Sequence, residues 1–328
     1  MQKLRCLDLS GPDGHFRYGQ AFGEAIRAFS ADRPLRPSFL RMKQKAEARY
    51  PAYCKEIHDR AAGAGANGDL LFAAMLDGVK ELESCTDIFI RKADGSMLYG
   101  HNEDGEYTPG NCALARYSGL KVGFTEFSAI GSMPGYTFLW NDAGLITSVN
   151  YIHHDEMRPE EPSAHFLLRD AAEASCIEEI RGRLAGKSCA SAFHLNVFDT
   201  KSCRAYSVEQ LFEQTDILEV TDRYAHTNHL LRLGTGYASP GWDTKPRLAS
   251  ARRMLAPLDP ARCALSDIRA ILDYTDGEDR LRSVYSDPAL DAFPTAATML
   301  VDSASGEIVV IDRFCGEELR FGTPSGRD

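Results

Sequence analysis

Several things are missing from this 328-residue chain, and each absence closes a door. No Cys-x-x-Cys pair occurs among the nine cysteines, which excludes a zinc ribbon or a thioredoxin-type motif. No run of about twenty apolar residues is present, so no membrane-spanning helix is expected. The opening Met1-Gln2-Lys3-Leu4-Arg5-Cys6 lacks the apolar core of a secretory signal, and a cytoplasmic address is the default expectation. Long basic runs are absent and the formal net charge is −10, so neither nucleic acid nor an anionic membrane is an expected partner. There is no glycine-rich phosphate loop, no Gly-x-Ser-x-Gly nucleophile elbow, no internal repeat and no low-complexity tract.

What is present reads as an ordinary globular chain, 44 % hydrophobic and 26 % charged, long enough for one large domain or two modest ones. In a reducing compartment most of its cysteines are expected to be buried small hydrophobes. The first part reads as helical. Phe22, Ala25, Ile26 and Phe29 recur at helical spacing, and the charge-rich stretch 38–61 lacks strand alternation. After a Gly/Ala break at 61–68, Asp69 resembles an N-cap, followed by Phe72, Met75, Leu76 and Val79 on one face.

The pattern changes at Ser84-Cys85-Thr86. Residues 86–92 read as a strand, Ala93-Asp94-Gly95 as a turn, and 97–102 as the returning strand. More strand signals lie at about 112–129, and a hairpin is expected around Asn141 to Gly144. Residues 163–185 read as helical, 193–198 and 205–208 as a strand pair, then helices after Asp243 and over 265–274, and final strands at 297–302 and 307–312. Grouped strands and grouped helices, without parallel βαβ alternation, predict an α+β fold built on antiparallel sheets with helices on their faces.

One junction carries chemistry. Cys85 sits where helix gives way to strand, and the hairpin returns His101 to Asp104 close to the strand's start. Asp104 is thereby brought toward the backbone nitrogen of Cys85. If the bond between Ser84 and Cys85 is cut, the freed α-amine has a reference pKa of about 7.7–8.0, beside a thiol at about 8.5. That amine can serve as general base for its own thiol, and a nearby carboxylate would hold and tune it. The thiolate is a strong nucleophile toward an amide or thioester carbonyl.

At these residues the chain resembles the isopenicillin N acyltransferase family of self-cleaving, N-terminal-nucleophile (Ntn) cysteine hydrolases, which also includes bile salt hydrolases and acid ceramidase. The similar segments run in order: His15 to Gly23, Cys85-Thr86, Gly100-His101-Asn102-Glu103-Asp104, Gly144 to Asn150, Thr227-Asn228-His229, and Asp243 to Arg253. The resemblance implies an αββα sandwich of two antiparallel sheets. It implies a helical precursor segment, residues 1–84, cut from a catalytic core, residues 85–328, with the two fragments remaining associated. Carried over residue by residue, Cys85 matches the nucleophile and Asp104 the aspartate that binds its amine. Asn150 and Asn228 match side-chain amides near the oxyanion, and Arg247 matches a site arginine that would grip a substrate carboxylate or support Asp104. Thr86 and His101 are candidate substrate contacts. Two positions depart from the pattern: Ser84 stands where the penicillin enzyme has glycine, and His101 where bile salt hydrolases carry arginine.

The expected activity is hydrolysis of a linear amide, with a small amide or acyl-thioester substrate and no metal or cofactor. Acyl transfer to an amine is the alternative, and an uncut, non-catalytic binding protein on the same scaffold is a reading of another class. His153-His154-Asp155-Glu156 invites a metal-dependent reading, but neighbouring strand residues point to opposite faces and would not share one ion easily. His226 and His229 meet the same objection, while Trp140 and Trp242 read as packing anchors.

Overall fold

The computed structural model describes residues 3–76, 85–152, 154, 156–234, 244–287, 289, 291 and 293–324. The chain opens with strand β1 (Arg5–Asp8) and five helices: α1 (Gly14–Ala21), α2 (Gly23–Ser30), α3 (Pro37–Arg49), α4 (Pro51–Ala64) and α5 (Gly68–Leu76). Six strands follow: β2 (Thr86–Arg91), β3 (Met97–Asp104), β4 (Cys112–Tyr117), β5 (Phe124–Ala129), β6 (Leu139–Asn141) and β7 (Leu145–Ile152). Helices α6 (Ala164–Ala171) and α7 (Ile177–Leu184) precede β8 (Ala192–Asp199), β9 (Arg204–Leu211), β10 (Gln214–Val220) and β11 (Arg223–His226). Helices α8 (Thr244–Leu255) and α9 (Leu265–Leu272) and strands β12 (Thr295–Asp302), β13 (Glu307–Asp312) and β14 (Glu318–Gly322) complete the order.

The strands form an eight-stranded sheet, β1-β4-β5-β6-β7-β8-β9-β10, and a six-stranded sheet, β11-β2-β3-β12-β13-β14. Every pairing is antiparallel except β1 with β4. Three apolar interfaces stack the layers. Phe39, Phe72 and Phe166 from the early helices and α6 pack with Phe124, Leu195 and Val208 on the outer face of the larger sheet. Phe127, Ile146 and Phe198 meet Phe89, Met299 and Val310 between the sheets. Ile88, Ile90 and Leu300 on the far face of the smaller sheet meet Leu248 and Ala251 of α8 and Ile268 and Leu272 of α9. The result is the expected αββα sandwich. Both sheets are covered on both faces, so β3 and β7 are buried along their whole length.

Local chemistry explains the boundaries. The β2–β3 hairpin closes through Gly95 at φ +86°, a left-handed conformation that favours glycine. Gly100 lets α9 lie against β3, since a Cβ there would stand 2.5 Å from Ile268 and 2.7 Å from Leu272. The stretch 38–61, expected to be helical, is helical and is divided into α3 and α4, because Pro51 has no N–H to donate and opens α4. Two sequence expectations need correction, the cap of α5 and the wholly helical 1–84 segment. The side chain of Asn67, not Asp69, caps α5, accepting from the N–H groups of Asp69 at 2.9 Å and Leu70 at 3.1 Å. The two helices expected over 163–185 are α6 and α7. The 1–84 segment is not wholly helical, since β1 extends the larger sheet. The continuation of the α5 pattern to Val79, Ser84, His153, Asp155, Trp242 and Asp243 lie outside the described residues.

The early segment is joined to the rest by more than apolar contact. Arg169 of α6 is buried and pairs with Glu56 of α4 at 2.6 Å and with Glu173 at 2.7 Å. Arg60 of α4 donates to the Ser132 carbonyl at 2.7 Å and to the Tyr117 hydroxyl at 2.9 Å. Of the nine cysteines, all free, five are buried, Cys85 among them.

Candidate active site

Cys85 immediately precedes β2, and strand alternation sorts its neighbours onto two faces. Thr86 pairs with Asn102 and Asp87 with His101, so the register carried one residue further sets Cys85 opposite Glu103. Cys85, Asp87, His101 and Glu103 therefore face the larger sheet. Thr86, Asn102 and Asp104 face α8 and α9. Cys85 is 1 % exposed, with Sγ 4.0 Å from Glu103 Oε1 and 3.8 Å from the Asp104 carbonyl oxygen.

On the helix side, Arg247 of α8 binds the nucleophile candidate's own backbone. It donates to the Cys85 carbonyl at 2.6 Å, to Thr86 Oγ1 at 2.8 Å and to Asn228 Oδ1 at 2.8 Å. Asn228, just beyond the end of β11, donates through Nδ2 to the Tyr151 carbonyl at 2.9 Å. An amide nitrogen carries two hydrogens, so Asn228 retains a second for another acceptor. Four predicted residues, Cys85, Thr86, Asn228 and Arg247, are thus joined in one hydrogen-bonded group. Asp104 shares the Arg247 side. Burial pushes its carboxyl up to about 7, against the opposing pull of Arg247 and the Thr295 hydroxyl. Thr295 is near enough to exert that pull but lies outside hydrogen-bond geometry, and both Asp104 oxygens are buried without a hydrogen-bond partner.

On the sheet side lies a charged network. His101 Nδ1 is 2.9 Å from Asp87 Oδ1 and Nε2 is 3.1 Å from Glu103 Oε2. Burial works against a charged imidazole, but the two carboxylates win and push His101 up to about 10. Asp87 is opposed in the same way by burial, yet the His101 charge and its hydrogen bonds hold it below the usual carboxylate range. The hydroxyls of Tyr99 and Ser148 also donate to Asp87, and Tyr107 donates to Glu103 Oε1 at 2.7 Å. His101 is fully buried with both nitrogens engaged. A substrate contact by this ring would require breaking one of these pairs.

Asn150 of β7 faces the same inter-sheet space as Ser148. Its Oδ1 accepts from His194 Nδ1 at 2.8 Å and from Asn196 Nδ2 at 3.2 Å, while its Nδ2 is buried without a partner. Burial pushes His194 well down, so the ring is neutral, with Nδ1–H turned to Asn150 and Nε2 accepting from Ser207 Oγ at 2.7 Å. A buried donor held by its oxygen, with its N–H₂ left over, suits a group that completes its bonding only when an oxyanion forms.

Sequence reasoning assigned no role to Asp87, Glu103 or His194. The signal for the first two was available: parity along a tight hairpin sets them on the thiol's face. Cys85, His101 and Glu103 also offer ligand atoms within 4.8 Å of one another, and this is the one such metal-competent group among the described residues. A cation there would have to displace Glu103 from His101. His154 instead bonds the backbone of Glu156, His229 bonds Thr244, and His226 stacks on His194 at 3.5 Å. Trp140 packs on Phe321. No helix among the described residues is long and apolar enough to cross a membrane.

Several known proteins are similar to this chain. The β-alanyl-dopamine/carcinine hydrolase of Drosophila melanogaster is 24 % identical over 221 residues, covering 55 % of this chain and 57 % of that protein. The chain thus spans little more than half the length of that relative. Among solved structures, a mutant of the conjugated bile acid hydrolase from Clostridium perfringens aligns with a TM-score of 0.46 at 13 % identity, over 73 % of this chain and 92 % of the other. The penicillin V acylase of Agrobacterium tumefaciens gives 0.45 at 13 % identity, over 73 % and 86 %. A family model described as acyl-coenzyme A:6-aminopenicillanic acid acyl-transferase matches residues 90–308, which leaves Cys85 just outside and takes in Asp104, Asn150, Asn228 and Arg247. That stretch runs from β2 into β13 and spans well over half of the sequence: the chain belongs to the acyl-coenzyme A:6-aminopenicillanic acid acyl-transferase family.

Proposed function

We propose that this protein is an amidohydrolase that cuts itself before Cys85 and then opens linear carbon–nitrogen amide bonds through an acyl-enzyme on the Cys85 sulfur. The observation that carries the reading is Arg247, buried and bonded at once to the Cys85 carbonyl, Thr86 and Asn228. A structural cysteine needs no such grip; a thiol that must meet a carbonyl at a fixed angle does.

The cut separates residues 1–84 from 85–328. Once the α-amine is free, it takes the thiol proton and returns it to the leaving amine of the substrate. Asp104 then serves as the charged partner of that amine. Asn150 Nδ2 and the second hydrogen of Asn228 Nδ2 stabilise the tetrahedral oxyanion, where each lost donor typically raises the barrier by about 2.7–4 kcal/mol. Water then releases the acyl group. No metal or cofactor takes part. The fragments stay together through Glu56–Arg169, β1–β4 and the Phe39–Phe72–Phe166 cluster. The substrate is a small linear amide, a class supported by the β-alanyl-dopamine and carcinine of the relative's name.

The family's description favours a second reading, in which an amine takes the acyl group in place of water. Both are tested with a panel of small acyl amides, with and without a competing amine. Wild type should give free acid, and a new amide only if transfer operates. Cys85→Ala should do neither, and a mass adduct should map to Cys85 alone. Full activity in Cys85→Ala defeats the proposal. Activity abolished by a chelator would support metal-dependent hydrolysis instead. An uncut, inactive wild type would support a binding protein on this scaffold.

A further inference from the structure

The α-amine of Cys85 can act as base only after it exists. In the uncut chain the Cys85 nitrogen is an amide, which cannot accept the thiol proton, so the first cut needs another acceptor. We propose that Glu103 is that acceptor: it takes the Cys85 proton during self-cleavage, held in place by His101, Asp87 and Tyr107. This rests on the reading that Cys85 cuts the chain before itself.

The geometry selects Glu103 over its neighbours. It stands across from Cys85 in the β2–β3 register, on the same face, with Oε1 4.0 Å from Sγ. That is the outer limit of a sulfur hydrogen bond, within reach of a small side-chain rotation or one bridging water. Asp104, the other carboxyl nearby, points to the opposite face. Its contact with Sγ is through the backbone carbonyl, 3.8 Å away, which is not a useful base. Glu103 is fixed at both oxygens, Oε1 by Tyr107 at 2.7 Å and Oε2 by His101 at 3.1 Å. His101 is itself anchored by Asp87 at 2.9 Å, and Asp87 by Tyr99 at 2.9 Å and by Ser148. Asp87, His101 and Glu103 are each no more than 1 % exposed. The imidazole, pushed up to about 10, is a donor on both nitrogens, so Glu103 Oε2 accepts from it as Oε1 accepts from Tyr107. A buried chain of this length would be a costly way to fill the space between two sheets unless it served a reacting group.

The step balances. Glu103 Oε1 takes the Sγ proton, and the thiolate attacks the carbonyl carbon of residue 84, forming a C–S bond. The C–N bond to Cys85 breaks, and its nitrogen leaves as an amine carrying the proton that Glu103 had accepted. Water opens the thioester, releasing the carboxyl of residue 84 and restoring the thiol. From then on the new amine serves as base. Glu103 is thus a catalytic residue of maturation, distinct from the machinery of turnover.

The test separates the two stages. Glu103→Gln keeps the shape and removes the base. Conversion of purified full-length chain to fragments, followed by intact mass, should slow by roughly 10²–10⁴-fold, the usual range for a lost general base. Turnover per cut chain, with the cut fraction read from intact mass, should fall at least tenfold less. Cutting at the wild-type rate overturns the proposal, and so does an equal loss in both stages, which would make Glu103 merely structural. Should Glu103→Gln fail to fold, Glu103→Asp draws the carboxylate back by one methylene from a position already at the limit of reach. It should cut on the order of tenfold more slowly, and wild-type cutting by this variant again overturns the proposal. Failure of the underlying reading looks different, because wild type itself would then remain a single chain.

Discussion

Asp104→Asn, made in the uncut Cys85→Ala chain, should change how stability depends on pH. Asp104 is fully buried, and neither carboxyl oxygen has a hydrogen-bond partner. Burial raises its pKa from the ordinary 3.8 to about 7. The sign follows from proton counting. Between those values the unfolded chain has lost the proton and the folded chain has kept it, so stability falls as pH rises. The group costs nothing below about pH 4 and its full penalty above about pH 7. A little over three pH units at about 1.36 kcal/mol each makes that penalty roughly 4 kcal/mol. Asparagine does not titrate, so all other groups cancel when the two proteins are compared. Urea unfolding at pH 4, 6 and 8 is the assay. The stability of the asparagine variant relative to its parent should grow by roughly 4 kcal/mol across that range. A difference independent of pH would refute the reasoning and leave Asp104 a turn residue. In cut protein the α-ammonium supplies the missing partner, so there the same substitution should remove turnover while the pH effect on stability shrinks.

Asn228→Ala should lower kcat and kcat/KM together, because an oxyanion donor acts in the transition state; a change in KM alone would reject that role. Arg247 was a candidate clamp for a substrate carboxylate, but it already binds the Cys85 carbonyl, Thr86 and Asn228. Arg247→Lys, which cannot reproduce the fork, should therefore impair cutting and kcat, and a pure KM effect in steady-state kinetics would restore the clamp. Glu56→Ala leaves Arg169 buried with only Glu173, and should cost about 3–5 kcal/mol in denaturant unfolding. It should also loosen the 1–84 fragment after cutting, visible as two species in size exclusion; co-elution at wild-type stability would remove this pair from the account.

The layers were legible in the sequence because hairpin turns and apolar spacing report local geometry, as at Ala93-Asp94-Gly95 and along Leu248, Ala251 and Leu255. What was not legible depends on partners far along the chain. The parallel pairing of β1 with β4 joins Arg5 to Ala113, and no local pattern encodes it. Strand β10 is a partly exposed edge with a mixed pattern, QTDILEV, which reads neither as strand nor as helix. The site divides in the same way. Cys85 and Asp104 follow from one hairpin. The meeting of Arg247 with Cys85 spans 162 residues, and the sequence pointed to it only through resemblance. Glu103 was visible as a letter inside the Asn-x-Asp segment, but its role depends on which strand face it occupies.

The central claim is that Cys85 becomes a new N-terminus, and the intact mass of the purified wild-type protein, with N-terminal sequencing of each species, tests it most directly. The account predicts two associated chains in place of the 36.2 kDa precursor, one of them beginning Cys85-Thr86-Asp87. A single uncut chain with full amidase activity would contradict it.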